Sequence, residues 1–377
     1  LILRSLEIEN FRIFQKSEFE FGERLNVVYG PNGQGKTTLL EAISVTCLTK
    51  SFRTRQDTDL IRHGQTFFRV VAHFRDDMGV ERTVEIRFDR SSGKRILLDR
   101  SRVISAAEHV GTFPVVVLSP DDDEITMGPP ERRRRFINIV LSQLDRSYLA
   151  LLQEYVRVLK QRNAILQEAR ESRFGLSKKV EPWNQKFFQI GREITNRRAR
   201  FVEALNLKAA PILSELTTGA ESLEIRYEPS FRPEWDSYEK FSAFLDENLN
   251  LEIVRGTSLF GPHRDEVLFL LNGVELRRFG SRGQHRSCLL ALKIAEYRML
   301  LEGKGESPIF LLDDVYGEID EFRERALNDY FGELRQVFIT SHQRDIKFNI
   351  SHDLMQKIHY IHMDMANLAS QEEVFEP

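Results

Sequence analysis

Between residues 25 and 38 a continuous apolar run, LNVVY, passes directly into GPNGQGKTT and then into an apolar-periodic stretch ending near Leu48. That order constrains the fold more than any other feature of the chain. Gly30, Gly35, Lys36 and Thr37 fit the spacing G-x4-G-K-[ST], whose setting is the turn between a buried strand and a helix. Its glycines let successive backbone N–H groups turn inward around phosphate oxygens. The helix N-terminus that follows adds partial positive charge. Gly30, Pro31, Asn32, Gly33, Gln34, Gly35, Lys36, Thr37 and Thr38 are therefore the expected phosphate-binding residues. In this arrangement Lys36 reaches the β- and γ-phosphates and the Thr37 hydroxyl ligates Mg²⁺. The alternative is a glycine-rich turn that only caps a helix, and the flanking elements argue against it.

Such a loop needs a carboxylate at the end of a second strand. The run IFLL followed by Asp313 and Asp314 supplies two. Consecutive strand side chains point to opposite sides, so the pair divides the work. Asp313 is placed to hold Mg²⁺ through water, and Asp314 to act as general base or to polarise the attacking water. Upstream, Ser281, Arg282, Gly283 and Gln284 open a helix, in the place and shape of the ABC signature whose common form is L-S-G-G-Q. Gly317, Glu318, Ile319 and Asp320 resemble a D-loop, and His342 follows the strand QVFIT where ABC ATPases carry a switch histidine. Alone each is weak: an N-cap and turn would explain the first, a surface loop the last. No N-K-x-D guanine reader is present, so a GTPase is not expected. Four elements in ABC order imply an ABC-type head that hydrolyses ATP with Lys36, Asp314 and His342 as its catalytic residues. In such heads the signature completes the nucleotide site of a second subunit. ATP is then expected to join a homodimer and hydrolysis to release it.

At 377 residues, 41% hydrophobic and 29% charged, the chain can bury a sizeable core and is long enough for two domains. No apolar run reaches membrane-spanning length, and the opening LILRSLEIENFR lacks a signal-peptide core. Cys47 and Cys288 stand far apart without metal-ligand spacing, so a reducing, cytoplasmic setting is expected. Alternation predicts a strand at the start, paired as a hairpin with residues 18–21, and several mostly antiparallel strands within 67–118. After residue 130, Leu, Ile, Val and Tyr recur at helical spacing. A loop is expected at 173–182, then a second helical stretch from Trp183 to about Leu216, and mixed short strands and loops over 223–276. Strands at 308–313, 336–340 and 357–363 alternate with helices at 287–301 and 322–334, the pattern of a parallel sheet with crossovers. The expected class is α/β: an ABC-type P-loop ATPase head with a mixed, partly parallel sheet and an inserted all-helical lobe. Residues 1–125 form the first part of the head, 126–220 the insert and 221–377 the second part.

The net charge of −3 hides an asymmetry. Residues 131–210 hold eighteen Lys/Arg against eight Asp/Glu, an excess of ten. A polyanion contact and a solvated helical surface both fit that excess. Arg157, Lys160, Arg162, Arg192, Arg197, Arg198 and Arg200 are the candidate phosphate partners. No recognition-helix, zinc or RNP motif is present, so DNA binding independent of sequence is expected. Arginines 132–135 cover a whole helical turn, so at least one points inward; DNA contact and domain packing both stay open. For His263, in GPHRD, a contact to nucleotide or DNA and a structural turn both stay open, the turn favoured by Gly-Pro, with Arg264 and Asp265 as a local ion pair.

The segments EIENFR (7–12), LLEAI (39–43), SFRT (51–54), LSPDD (118–122), GPPERRRRFIN (128–138), YVRVLKQRN (155–163) and FGPHRDE (260–266) resemble the RecF family over nearly the whole chain. The resemblance implies an ABC head with a helical lobe, ATP-dependent dimerisation on single- and double-stranded DNA, and slow hydrolysis. It also implies partnership with RecR and RecO in loading RecA at single-strand gaps. By the same resemblance Arg12 packs near the nucleotide. Two positions depart from the transporter pattern. Arg282 replaces Gly, and Asp314 replaces a Glu one methylene longer, which would hold water less firmly. A transporter ATPase would lack the basic insert, and an SMC-like clamp would need a longer coiled coil. A nucleotide-gated scaffold with little DNA affinity keeps the same motifs and stays open.

Overall fold

The computed structural model describes residues 1–314, 330–344 and 350–364. Two compact units divide the chain, one of residues 1–123 with 286 onward, the other of residues 124–285.

The first unit holds two sheets. One is antiparallel, in the order β2 (Phe14–Glu20), β1 (Ile2–Phe11), β4 (Phe67–Arg75), β5 (Glu81–Asp89), β6 (Gly93–Leu98) and β7 (Ser101–Val103). Alternation decides its faces: Leu6 and Ile8 are buried while Ser5, Glu7 and Glu9 between and beside them are not. The other sheet is parallel, in the order β14 (Ile358–His362), β3 (Leu25–Tyr29), β13 (Gln336–Ser341), β12 (Ile309–Leu312) and β8 (Val115–Leu118). Its inner strands are mostly apolar, as strands covered on both faces are, with Asn26, Gln336 and Thr340 as buried polar exceptions. For the same reason VVVL, read from sequence with the antiparallel strands, joins the parallel sheet beside β12. Helix α1 (Lys36–Leu48) is buried along eleven of its residues, and its Leu39, Leu40 and Ile43 share one core with Leu6, Phe68, Val117 and Leu311. Fully buried Gln336 ties the two sheets together. Its Oε1 accepts from Leu3 N–H at 2.7 Å, and its Nε2 donates to Leu3 O at 2.9 Å and Gly22 O at 2.7 Å. A short helix, α2 (Ala106–His109), follows β7.

The second unit runs through α3 (Asp123–Met127), α4 (Pro130–Leu144), α5 (Arg146–Glu168) and α6 (Leu176–Leu216), then β9 (Leu223–Glu228), α7 (Tyr238–Arg255), β10 (Glu266–Leu271), β11 (Val274–Glu275), α8 (Leu276–Phe279) and the start of α9 (Arg282–Lys304). Helices α4, α5 and α6 take up most of residues 130–216. The unit continues to residue 285, however, taking in an antiparallel sheet ordered β11-β10-β9. Two expectations fail here. The loop at 173–182 is helix from Leu176 onward, with Pro182 inside it. One forfeited backbone hydrogen bond is outweighed by burial of Val180, Phe187 and Phe188. Residues 238–255, read as strands and loops, form α7, started by the Ser237 hydroxyl accepting Lys240 N–H and ended by Gly256 at φ 63°. Its buried residues are only Phe241, Leu245, Glu252 and Ile253, too few apolar positions for the pattern to stand out. The helical stretch 322–334 expected from sequence falls mostly outside the described residues.

Candidate nucleotide site and basic helices

The phosphate-binding loop sits where its sequence demands, between β3 and α1. Gly35 takes φ 94° and accepts Leu39 N–H at 2.8 Å, so the helix starts straight out of a left-handed turn. At Gly30, φ 144°, a β-carbon would lie 2.5 Å from the Met363 carbonyl, so only glycine lets the loop pass β14. The Lys36 ammonium, 8% exposed, donates to Gly30 O at 2.7 Å and Pro31 O at 2.9 Å. Burial lowers its pKa, against the opposing pull of Asp314 and Asp313. Thr38 is buried, whereas Pro31, Asn32 and Gly33 are exposed at the loop's rim with Gln34 partly so.

Across 276 residues of chain, the Thr37 hydroxyl donates to Asp313 Oδ1 at 2.8 Å. The Thr340 hydroxyl donates to the same oxygen at 3.0 Å and accepts Asp314 N–H at 2.7 Å. Burial raises the Asp313 pKa, with the hydroxyl bonds acting against it. A buried carboxylate beside a hydroxyl is a donor pair that suits a hard divalent cation, so Thr37 and Asp313 fit Mg²⁺. Asp314 lies beyond the end of β12 in the left-handed region, φ 51°. For a non-glycine residue that is a strained conformation, of the kind concentrated at functional sites. The two carboxylates have different partners: Asp313 has the Thr37 and Thr340 hydroxyls, Asp314 has His342. His342 Nε2 stands 3.7 Å from Asp314 Oδ1, both side chains about half exposed. The proposed D-loop, 317–320, lies outside the described residues.

Sequence reasoning missed the partners that surround this loop. Glu41, fully buried in α1, receives Arg12 through two bonds, 3.0 and 2.9 Å, and also the Ser51 hydroxyl, with Arg53 at 4.0 Å. Arg53 also acts electrostatically on Asp313. Arg12 thus packs on the loop's own helix through Glu41. EIENFR, LLEAI and SFRT were legible as resembling segments, but nothing in their spacing announced that one buried carboxylate gathers them. Thr340, inside QVFIT, was read only as strand.

In the second unit Ser281, Arg282, Gly283 and Gln284 do open a helix. Gln284 Oε1 accepts Ser281 N–H at 2.8 Å and Ser281 Oγ accepts Gln284 N–H at 3.2 Å, a reciprocal cap. Ser281 and Arg282 are exposed.

The seven basic candidates of the insert separate sharply. Arg162 is fully buried, holding Glu252 at 2.5 Å, Ser258 at 2.6 Å and Asn184 at 2.8 Å. Arg198, 3% exposed, binds Asp265 at 2.8 Å and Pro262 O at 2.6 Å. Both are therefore corrected from phosphate partners to core residues, since each already saturates its guanidinium inside the protein. Arg197 is engaged with Asp145 and Glu193, each at 2.6 Å. Arg192 donates to Asp236 O and lies over Phe188. Arg157, Lys160 and Arg200 are exposed, and among the described residues they make no ion pair. Of the run 132–135, Arg133 is buried against Glu266 at 2.9 Å and Arg134 donates to Asp265 O at 2.5 Å, so packing claims at least two. His263 is held inside the unit: its Nε2–H donates to Ser258 O at 3.0 Å, which leaves Nδ1 to accept the Tyr155 hydroxyl at 2.7 Å, and burial lowers its pKa to about 4. The expected Arg264–Asp265 pair is replaced by Arg198–Asp265, because Arg264 turns to Ser258 O.

Residues 2–363 match the family described as RecF/RecN/SMC N terminal domain. A DNA replication and repair protein RecF of Chlorobium phaeovibrioides is 35% identical over 345 residues, 90% of this chain and 93% of the relative. Another, of Geobacillus kaustophilus, is 34% identical over 362 residues, 95% and 96% of the two. A solved structure described as the recombination mediator protein RecF with ATP in the RecFOR pathway is 31% identical with a TM-score of 0.85, over 92% of this chain and 93% of that one. The Smc head domain of Pyrococcus furiosus, 16% identical at a TM-score of 0.53 over 99% of both chains, shares the fold.

Proposed function

The chain belongs to the RecF family, and from that premise we propose that it is an ATP-gated, DNA-binding protein of replication and recombinational repair. The observation that carries the reading is the Thr37–Asp313 contact, which joins the phosphate loop to the acidic strand end in one pre-formed site. Backbone N–H groups of residues 32–38 and the Lys36 ammonium hold the β- and γ-phosphates. Bound between Thr37 and Asp313, Mg²⁺ would neutralise charge on those phosphates. Asp314 takes the proton of the attacking water, and His342, 3.7 Å away, orients that carboxylate. Ser281, Arg282, Gly283 and Gln284 of a second copy cover the γ-phosphate, so ATP joins two chains and slow hydrolysis parts them. The reciprocal Ser281–Gln284 cap keeps the signature helix ordered before the partner arrives.

DNA is held by phosphate contacts from Arg157, Lys160 and Arg200, with RecR and RecO as protein partners in loading RecA. A scaffold with little DNA affinity is the second reading, favoured by the four candidate arginines that the protein itself engages. The triple variant Arg157→Glu/Lys160→Glu/Arg200→Glu separates the two. Its affinity for duplex DNA should fall at least ~10-fold, and its slope of log affinity against log salt should flatten by roughly 2–3, at about 0.9 per contact. ATP-dependent mass should be unchanged. A wild-type titration that is flat in salt would instead establish the scaffold.

A further inference from the structure

The polar face of the antiparallel sheet carries a charge pattern that sheet stability does not favour. Strand pairing places Lys16, Glu9, Arg69, Arg87 and Arg95 in one row across β2, β1, β4, β5 and β6. Three arginines thus stand directly opposite one another on strands about 4.8 Å apart, and like charges so placed weaken a sheet. Arg69 is compensated by Glu85 at 2.9 Å and Glu7 at 3.4 Å. Arg87 has only the electrostatic pull of Asp89, two residues along its own strand, among the described residues; its guanidinium lies 4.6 Å from the centre of the Phe67 ring, a stack that fixes its plane without using its N–H groups. Arg95 is exposed and, among the described residues, makes no ion pair. Arg102, opposite Leu97 on β7, extends the same face and is exposed. The acidic residues of this face lie on β1 (Glu7, Glu9) and β5 (Glu85, Asp89), so the exposed cations without an ion pair among the described residues, Arg95 and Arg102, gather toward β6 and β7.

We propose that this arginine row is a second nucleic-acid contact, over which a sugar–phosphate backbone lies. The proposal rests on the DNA-binding reading above and adds to it a surface outside the basic helices and outside the nucleotide site. Arg69 to Arg95 spans about 10 Å across two strand spacings, more than one small anion bridges, whereas a nucleic-acid backbone sets successive phosphates along it. Guanidinium forks match phosphate oxygens bidentately. The face is an open sheet surface without a base-reading element, so contact is to backbone and not to sequence.

The test is fluorescence anisotropy of labelled duplex and single-stranded DNA on the full chain with ATP, over a salt series. Arg87→Thr/Arg95→Thr should bind at least ~10-fold more weakly, with the salt slope flattened by about 1.8, and with ATP-dependent mass unchanged. Its melting midpoint should hold or rise, because opposed like charges are removed and Thr suits a strand. Arg87→Lys/Arg95→Lys, which keeps the charges, should retain the wild-type slope. A Thr double variant with wild-type affinity and slope overturns the proposal and leaves the DNA-binding reading standing. Wild-type chain with no salt-dependent DNA binding removes both. Competition by poly-glutamate as effective as by unlabelled DNA would assign the face to an acidic protein and overturn the proposal.

Discussion

Lys36→Ala should abolish ATP-dependent assembly and weaken ATP binding by about 10²-fold, the worth of one or two charge-assisted hydrogen bonds of roughly 1.5–3 kcal/mol each. Among the described residues the ammonium donates to carbonyls of its own loop, Gly30 and Pro31. Its removal takes a cation from beside buried Asp313, but that carboxylate keeps the Thr37 and Thr340 hydroxyls and the pull of Arg53, so the fold should survive. The glycine geometry of the loop stays intact, so residual binding through backbone amides is expected. Isothermal titration with ATP and Mg²⁺ checks the first part and light scattering the second. Unchanged affinity with unchanged assembly would remove Lys36 from the site.

The largest expected effect on stability lies in the second unit. Arg162→Ala should cost about 3–5 kcal/mol, because Glu252 would remain buried without its cation. Glu252 is fully buried, and its other partner is the Leu259 N–H at 3.0 Å. Asn184 and Ser258 lose a donor as well, and the guanidinium no longer lies 5.2 Å from the Phe187 ring. For a unit of this size the melting midpoint should drop by roughly 10 °C. Arg162→Met/Glu252→Leu, which removes both charges and keeps volume, should recover most of it. Differential scanning calorimetry of the three chains decides. An Arg162→Ala midpoint equal to wild type, with DNA affinity lost, would return Arg162 to the surface role its sequence position suggested.

That contrast marks how far the sequence could be read. The phosphate loop and the acidic strand end were legible because each joins a local motif to an apolar run, and apolar runs report strands covered on both faces. The parallel order of those strands followed from their alternation with helices. Charge was the poor witness. Arg162 and Arg198 share a spacing with exposed Arg157 and Arg200, and only tertiary partners far along the chain, Glu252 and Asp265, decide which arginines are spent inside. Helix α7 stayed hidden because its buried face is narrow. The Arg12–Glu41 node stayed hidden because it is assembled from three separate segments. The register that aligns Arg69, Arg87 and Arg95 is likewise invisible until strands are paired.

The central claim is that ATP joins two copies of this chain and that hydrolysis at Asp314 separates them. Its most direct test is the mass of Asp314→Asn by light scattering, without nucleotide, with ATP and Mg²⁺, and then with duplex DNA added. The variant keeps the Thr37–Asp313 pair and the Asp314 backbone bond to Thr340, so ATP should still bind while turnover fails. The account predicts a monomer without nucleotide and a lasting dimer with ATP, formed more readily on DNA. A monomer under all three conditions, with ATP bound, would contradict it.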